Sequence, residues 1–252
     1  MPETEIVKEK LKSKIVAIIP AAGSGTRMGE TTPKQYLEIN GVPMIFHTLR
    51  AFVQVARIQQ IAVVIASDDA DWNGLNNKFG ASLSAKLVVF RVGGATRALS
   101  VLNGLHELAD HYTANDWALV HDAARPCITT AMIEQFLDVL MNENAQENKP
   151  EIIGGLLALP VADTLKLGGS NDVVERTVSR SNLWRAQTPQ MFRLHTLIAA
   201  LAQAPTATDE SQAIEALGHK PLLVMGDSAN LKVTYATDLK IASALLSDSA
   251  ST

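Results

Sequence analysis

The sequence predicts an α/β protein: a mainly parallel, twisted sheet with helices on both faces. Three observations carry this. Short apolar runs alternate with amphipathic helical stretches, the pattern of a parallel sheet wrapped by helices. The runs are rich in β-branched residues, as in strands covered on both sides. A loop of small residues leaves the carboxyl end of the first run, where ligands sit in such sheets. The runs cover residues 15–19, 61–65, 86–90, 117–121, 152–158 and 222–225. Between them Ile45, Leu49, Phe52, Val53 and Ala56 recur at helical spacing, as do Ala98, Val101, Leu102, Leu105 and Leu108, and Met132, Ile133, Phe136, Leu137 and Leu140.

The rest of the chain is less regular. Residues 142–150 are polar and read as a surface loop. Residues 163–166 and 173–178 read as two short strands around Gly168 and Gly169. They contain too few apolar residues to form a core, which predicts a projecting hairpin arm over about 160–185, of the kind that packs on a partner subunit. Asp209-Glu210-Ser211-Gln212 has capping-box spacing and opens a helix through Leu217; a last helix is expected over 238–246.

The 252 residues suit one large domain, here expected over 14–247, with 1–13 and 248–252 as flexible termini. Hydrophobic residues make up 47% and charged residues 19%, ordinary for a globular chain. A net charge of −4 gives no support for a nucleic-acid surface, so any anion site must be a local cluster of cations. The single cysteine, Cys127, excludes an internal disulfide and fits a reducing, cytoplasmic setting. The polar first 14 residues lack the apolar core of a signal peptide, and no run is long enough to cross a bilayer.

The first loop reads Pro20-Ala21-Ala22-Gly23-Ser24-Gly25-Thr26-Arg27-Met28-Gly29. Gly23 and Gly25 let backbone amides approach phosphate oxygens, and Arg27 and Lys34 add fixed cations. This suggests a nucleoside triphosphate site. The loop is neither a Walker loop nor the G-x-G-x-x-G dinucleotide fingerprint, because the third glycine position is Met28 and Gly29 comes one residue late. That argues against a nicotinamide-dependent oxidoreductase.

Three further constellations follow. His121-Asp122-Ala123-Ala124-Arg125 closes the fourth run; Asp122 is placed either to hold Mg²⁺ on a phosphate or to cap the strand end. His121 reads as structural, since no histidine has zinc-site spacing. Arg125 either pairs with Asp122 or faces a substrate phosphate. Gly93-Gly94 precede a helix whose first turn carries Arg97 and Ser100, placed to contact a base or sugar. Lys232 sits in a strand-like apolar run, as a site cation or an edge-strand gatekeeper.

Residues 20–28, 33–37, 120–126, 188–190, 208–210 and 231–234 together resemble the 2-C-methyl-D-erythritol 4-phosphate cytidylyltransferases of the non-mevalonate isoprenoid pathway. The resemblance spans about 14–247. It implies a Rossmann-like nucleotidyltransferase fold and attack of the substrate's 4-phosphate on the α-phosphorus of CTP. It implies catalytic roles for Arg27, Lys34 and Lys232, Mg²⁺ on Asp122, and a nucleotide pocket from Ala21, Ala22, Gly23, Gly25, Gly94 and Ser100. It assigns the methylerythritol phosphate side to Arg125, Thr164, Arg180 and Thr188, with Thr164 and Arg180 reaching a partner's site from the arm of a homodimer. Ala95 departs from the acidic residue usual there; Thr96 or a backbone group is the expected substitute. The alternative is a cytidylyltransferase for another polyol phosphate, such as ribitol 5-phosphate; a catalytically silent nucleotide-binding protein fits poorly with retention of Arg27, Lys34, Asp122 and Lys232.

Overall fold

The computed structural model describes residues 13–23, 32–83, 85–144 and 152–248. In chain order its elements are β1 (Ile15–Pro20), β2 (Glu38–Ile39), β3 (Val42–Pro43), α1 (Met44–Gln54), β4 (Ile58–Val64), α2 (Trp72–Phe79), β5 (Leu87–Phe90), α3 (Arg97–Ala109), β6 (Trp117–Val120) and α4 (Thr130–Asn144). Then follow β7 (Gly154–Pro160), β8 (Leu165–Gly168), β9 (Val174–Val178), β10 (Trp184–Arg193), α5 (Leu194–Gln203), α6 (Glu210–Ala216), β11 (Leu222–Met225) and α7 (Ala236–Asp248).

Among the described residues the main sheet has seven strands in the order β11-β7-β10-β6-β1-β4-β5. The pairs β1–β4, β1–β6, β4–β5 and β7–β11 are parallel, whereas β10 runs antiparallel to both neighbours. Six strands therefore share one direction and β10 alone opposes them. This is the Rossmann-like mixed sheet expected of a nucleotidyltransferase.

Alternation along β1 sets the two layers. Ile15, Ala17 and Ile19 face a core completed by Phe46, Leu49 and Phe52 of α1 and Ile133, Phe136 and Leu137 of α4. Val16 and Ile18 face the opposite core, built with Val101 and Leu105 of α3, Leu197 and Leu201 of α5 and Ile214 of α6. The period of two in the strand and 3.6 in the helices thus meet across both faces. A third cluster joins Val233, Ala242 of α7, Cys127 and Met44 beside the sheet's carboxyl edge.

β10 was not foreseen from sequence. Its residues are largely polar and include Pro189, which argues against a central strand. The ladder with β7 breaks its register between Ala186 and Gln190, so Pro189 lies where no regular rung is required. The strand-like reading of 231–234 is corrected: these residues are irregular, tied to the core by Val233 N–H donating to Ala124 O at 2.8 Å. The predicted hairpin is present as β8–β9, antiparallel and separate from the main sheet. Val173 (64%) and Val174 (56%) are exposed on it. The polar loop assigned to 142–150 overlaps the end of α4 and otherwise lies outside the described residues, as do residues 1–12 and 249–252 of the two termini.

Phe136 is fully buried between α4 and the sheet. Phe136→Ala should lower stability by about 3–5 kcal/mol, seen as a lower urea midpoint at unchanged slope.

Candidate active site

The site lies at the carboxyl ends of β1 and β6. Ala21 N–H donates to Val64 O at 2.7 Å, so the first loop leaves the sheet in line with β4. Gln35 Nε2 donates to Ala21 O at 2.6 Å and ties the segment around Lys34 to the same point. On the far side, Gly93 allows backbone contact where any side chain would collide: a Cβ there would sit 2.3 Å from the Ala22 Cβ and 2.8 Å from Ile65 O. These restraints leave a cleft of about 440 Å³ lined by Ala21, Ala22, Gly23, Lys34, Gly94 and Asp122.

A second cleft of about 610 Å³ opens beside it, lined by Arg125, Arg185, Gln187, Leu231 and Asp238. Lys232 lines both. Its ammonium lies 2.7 Å from Asp122 Oδ2, while the side chain is 44% exposed. Asp122 Oδ1 accepts from Arg97 Nε at 2.7 Å. The other end of that guanidinium grips Glu210 through Nη1 (2.6 Å) and Nη2 (3.1 Å). Glu210 has no solvent exposure. The result is a chain of alternating charge, Glu210–Arg97–Asp122–Lys232, running from the core to the junction of the clefts. Burial alone would raise the Asp122 carboxyl, but Arg97 and Lys232 outweigh it and hold it well below the usual carboxylate range. Burial likewise works against the Arg97 charge, and Asp122 and Glu210 overcome it, so Arg97 stays charged.

The backbone of Asp122 is also fixed. Its N–H donates to Thr188 Oγ1 at 3.0 Å. Arg125 O can only accept, so His121 Nε2–H donates to it (3.3 Å), and the unprotonated Nδ1 of the neutral ring accepts from the Thr188 hydroxyl (3.1 Å). His121 is therefore the neutral Nε2–H tautomer. Burial pushes it down to about 3, against the pull of Asp122. The register break in β10 brings Thr188 to this position, and Asn230 Nδ2 holds it by donating to Thr188 O at 2.8 Å.

Of the residues read from sequence, Ala21, Ala22, Gly23, Lys34, Gly94, Ser100, Asp122 and Lys232 meet around the first cleft and Arg125 lines the second. Lys34 Nζ donates to Val233 O at 2.9 Å. Thr188 is buried behind Asp122 and does not line either cleft. Thr164 and Arg180 are exposed where the chain enters and leaves the hairpin, and neither lines a cleft of its own chain. Gly25 and Arg27 lie outside the described residues.

Two expectations change. Ser100 does not offer a free hydroxyl to a sugar: it accepts from Gly94 N–H at 3.0 Å and donates to Thr96 O at 3.0 Å, shaping the glycine turn. Thr96 caps α3 by accepting from Leu99 N–H at 3.1 Å, so it is a poor replacement for the acid absent at Ala95. Sequence reasoning missed Glu210 as an ion partner. An acidic residue just after Asp209 reads as helix-start chemistry, and nothing in its spacing reveals complete burial. Asp209 caps the helix as predicted, accepting from Gln212 N–H at 2.9 Å, but Gln212 accepts from Thr208 N–H at 2.7 Å, one residue before the cap.

A family model described as 2-C-methyl-D-erythritol 4-phosphate cytidylyltransferase matches residues 15–248. The chain belongs to that family. A member from Dechloromonas aromatica is 50% identical over 230 residues, covering 91% of this chain and 96% of the relative. One from Nitrosomonas eutropha is 47% identical over 242 residues, covering 95% and 99%. A crystal structure of a 4-diphosphocytidyl-2C-methyl-D-erythritol synthase superposes with a TM-score of 0.78 at 37% identity, covering 93% of this chain and all of that one. The cytidylyltransferase from Francisella tularensis gives 0.74 at 32% identity, covering 92% and 100%.

His121 supplies a pH test. Unfolding releases it to its ordinary value of 6.5, so below that pH the unfolded chain binds a proton that the folded chain refuses until about 3. Its contribution to stability is complete above pH 6.5 and falls as the pH drops from there toward 3. The loss should approach roughly 1.4 kcal/mol per pH unit between pH 6 and 4, and His121→Gln should flatten that slope in urea titrations.

Proposed function

We propose that this chain transfers the cytidylyl group of CTP to 2-C-methyl-D-erythritol 4-phosphate, giving 4-CDP-2-C-methyl-D-erythritol and pyrophosphate. Family membership supports the reaction, and one observation carries the site: Lys232 borders both clefts, at the point where two phosphorylated substrates would meet. The first cleft takes CTP, with the backbone of Ala21, Ala22, Gly23, Gly25 and Gly94 around phosphate and cytidine. The second takes the polyol phosphate. An oxygen of its 4-phosphate attacks the α-phosphorus, the bond from that phosphorus to the bridging oxygen breaks, and pyrophosphate leaves with the electron pair.

Both reactants are anions, so the protein's work is positioning and charge compensation. Arg27 and Lys34 hold the triphosphate and the charge growing on the leaving group. Lys232 sits over the α-phosphate and the incoming oxygen. Arg125 receives the polyol phosphate. Thr188 acts through the backbone of Asp122. No groups of three or more histidine, cysteine or acidic side chains with metal-site geometry occur among the described residues, so an all-protein cage is not the model. The site fits instead a magnesium ion of the kind held by one carboxylate and completed by substrate phosphates and water. Asp122 is ionised, lines the first cleft, and has one oxygen facing only the half-exposed Lys232. Bound there, Mg²⁺ would screen the triphosphate charge and polarise the α-phosphorus.

We further read the hairpin around 160–185 as a homodimer arm that delivers Thr164 and Arg180 to the partner's polyol phosphate cleft. Its exposed Val173 and Val174 support a covered state, and neither Thr164 nor Arg180 lines the clefts of its own chain. Among the described residues no helix is long and apolar enough to cross a membrane.

Pyrophosphate release from CTP and Mg²⁺ tests the reaction. Release should require methylerythritol phosphate; release with ribitol 5-phosphate instead would overturn the substrate assignment and keep the nucleotide site. Lys34→Ala should lose at least about a hundredfold in kcat with an unchanged melting temperature, the scale for one transition-state charge contact. Mixing Lys34→Ala with Arg180→Ala protein under subunit exchange should restore about a quarter of wild-type activity, because each hybrid dimer regains one complete site. No recovery on mixing would place Arg180 outside the partner's site.

A further inference from the structure

The second cleft carries more positive charge than its own acids balance. Arg125 is 8% exposed, donates to Asn230 O at 2.7 Å through Nη1, and leaves its buried Nε without a partner. Arg185 lies on β10 beside Ala186, whose carbonyl accepts from Arg125 Nη2 at 3.4 Å. Arg185 is exposed and lines the same cleft. Lys232, the third cation, is neutralised by Asp122. The one acid lining the cleft, Asp238, accepts from Thr234 N–H (2.7 Å) and Tyr235 N–H (2.8 Å) through Oδ2 and caps the start of α7.

Arg125 and Arg185 line the same cleft, and the charge of Arg185 acts against that of Arg125. Burial already pushes Arg125 down; Asp122 opposes this, and the charges of Arg97 and Arg185 add to the fall. An anion bound in this cleft would offset both positive charges. Guanidinium forks match a phosphate's oxygens in pairs, which a lysine at either place would not do.

Resting on the reading of the second cleft given above, we propose that Arg185 is a specificity-determining residue: with Arg125 it binds the phosphate monoester of the alcohol substrate and selects it over an unphosphorylated alcohol. Arg185 sits at the open rim, so it also draws the dianion in before Arg125 receives it.

Steady-state kinetics on wild type, Arg185→Gln and Arg185→Lys test this, with KM taken separately for each substrate and inorganic phosphate used as a probe against methylerythritol phosphate. Arg185→Gln should raise the KM for methylerythritol phosphate about tenfold and weaken competition by inorganic phosphate similarly, while the KM for CTP and kcat stay within about twofold. Arg185→Lys should recover part of the loss, and the wild-type KM for methylerythritol phosphate should rise with added salt more steeply than that of Arg185→Gln. A KM for methylerythritol phosphate within about twofold of wild type in Arg185→Gln overturns the proposal. So does an equal rise in both KM values, or a lowered melting temperature with unchanged kinetics, since either assigns Arg185 to the scaffold. Wild-type protein that releases no pyrophosphate with methylerythritol phosphate would instead sink the broader reading, before any variant is compared.

Discussion

The buried carboxylate of Asp122 is the constraint on which the arrangement of both clefts depends. A charge taken out of water is costly unless it is matched by opposite charge and hydrogen bonds in fixed geometry. Here one oxygen meets Arg97 and the other Lys232, and the backbone N–H is held by Thr188. Each partner comes from a different part of the chain: the start of α3, the segment before α7, and β10. Matching one charge therefore sets the relative positions of three segments that a hydrophobic core alone would leave free to slide.

The same logic continues inward. Arg97 is aimed at Asp122 because Glu210 takes its other two nitrogens, and Glu210 stands in place because α6 is capped at Asp209 and because Gln190 bridges to that cap. Gln190 Oε1 accepts from Ser211 N–H at 2.8 Å, so the strand before α5 and the helix after it are joined at the same point. An apolar replacement of such a network is often no less stable. Its value here lies in direction: the charge nearest the clefts is a half-exposed lysine, and the charges behind it are more deeply buried.

The layered fold was legible in sequence wherever periodicity and burial agree. β1, α1, α3 and α4 carry clean apolar faces, and each appears within a few residues of its predicted place. β10 was not legible, because a strand that houses site residues gives up apolar alternation for Gln187, Thr188 and Gln190 and accepts Pro189 at a break in the ladder. The site divides in the same way. Asp122 and Lys232 could be read because a cation or acid next to an apolar run is conspicuous, and Lys34 because it follows the glycine loop. Glu210 and the tautomer of His121 could not, because burial and hydrogen-bond direction come from tertiary contacts that leave no local trace. Thr188 was legible by position and not by role: the sequence marked the residue, and only the geometry turns its hydroxyl toward Asp122 and His121.

The asymmetry between the two clefts follows from what each must hold. The first is lined largely by backbone and small side chains, which suits an extended triphosphate whose oxygens can take many amide contacts in succession. The second is lined by side chains with long reach, which suits a compact phosphate on a small alcohol that offers few other handles. Lys232, half exposed and shared by both, is the element that can follow charge from the bound state toward the transition state. With its ammonium 2.7 Å from Asp122, Lys232 is the cation for which a phosphate at the junction would compete. On the proposed reading substrate charge would complete the site, and local cations, not the net charge of −4, would hold the two anions.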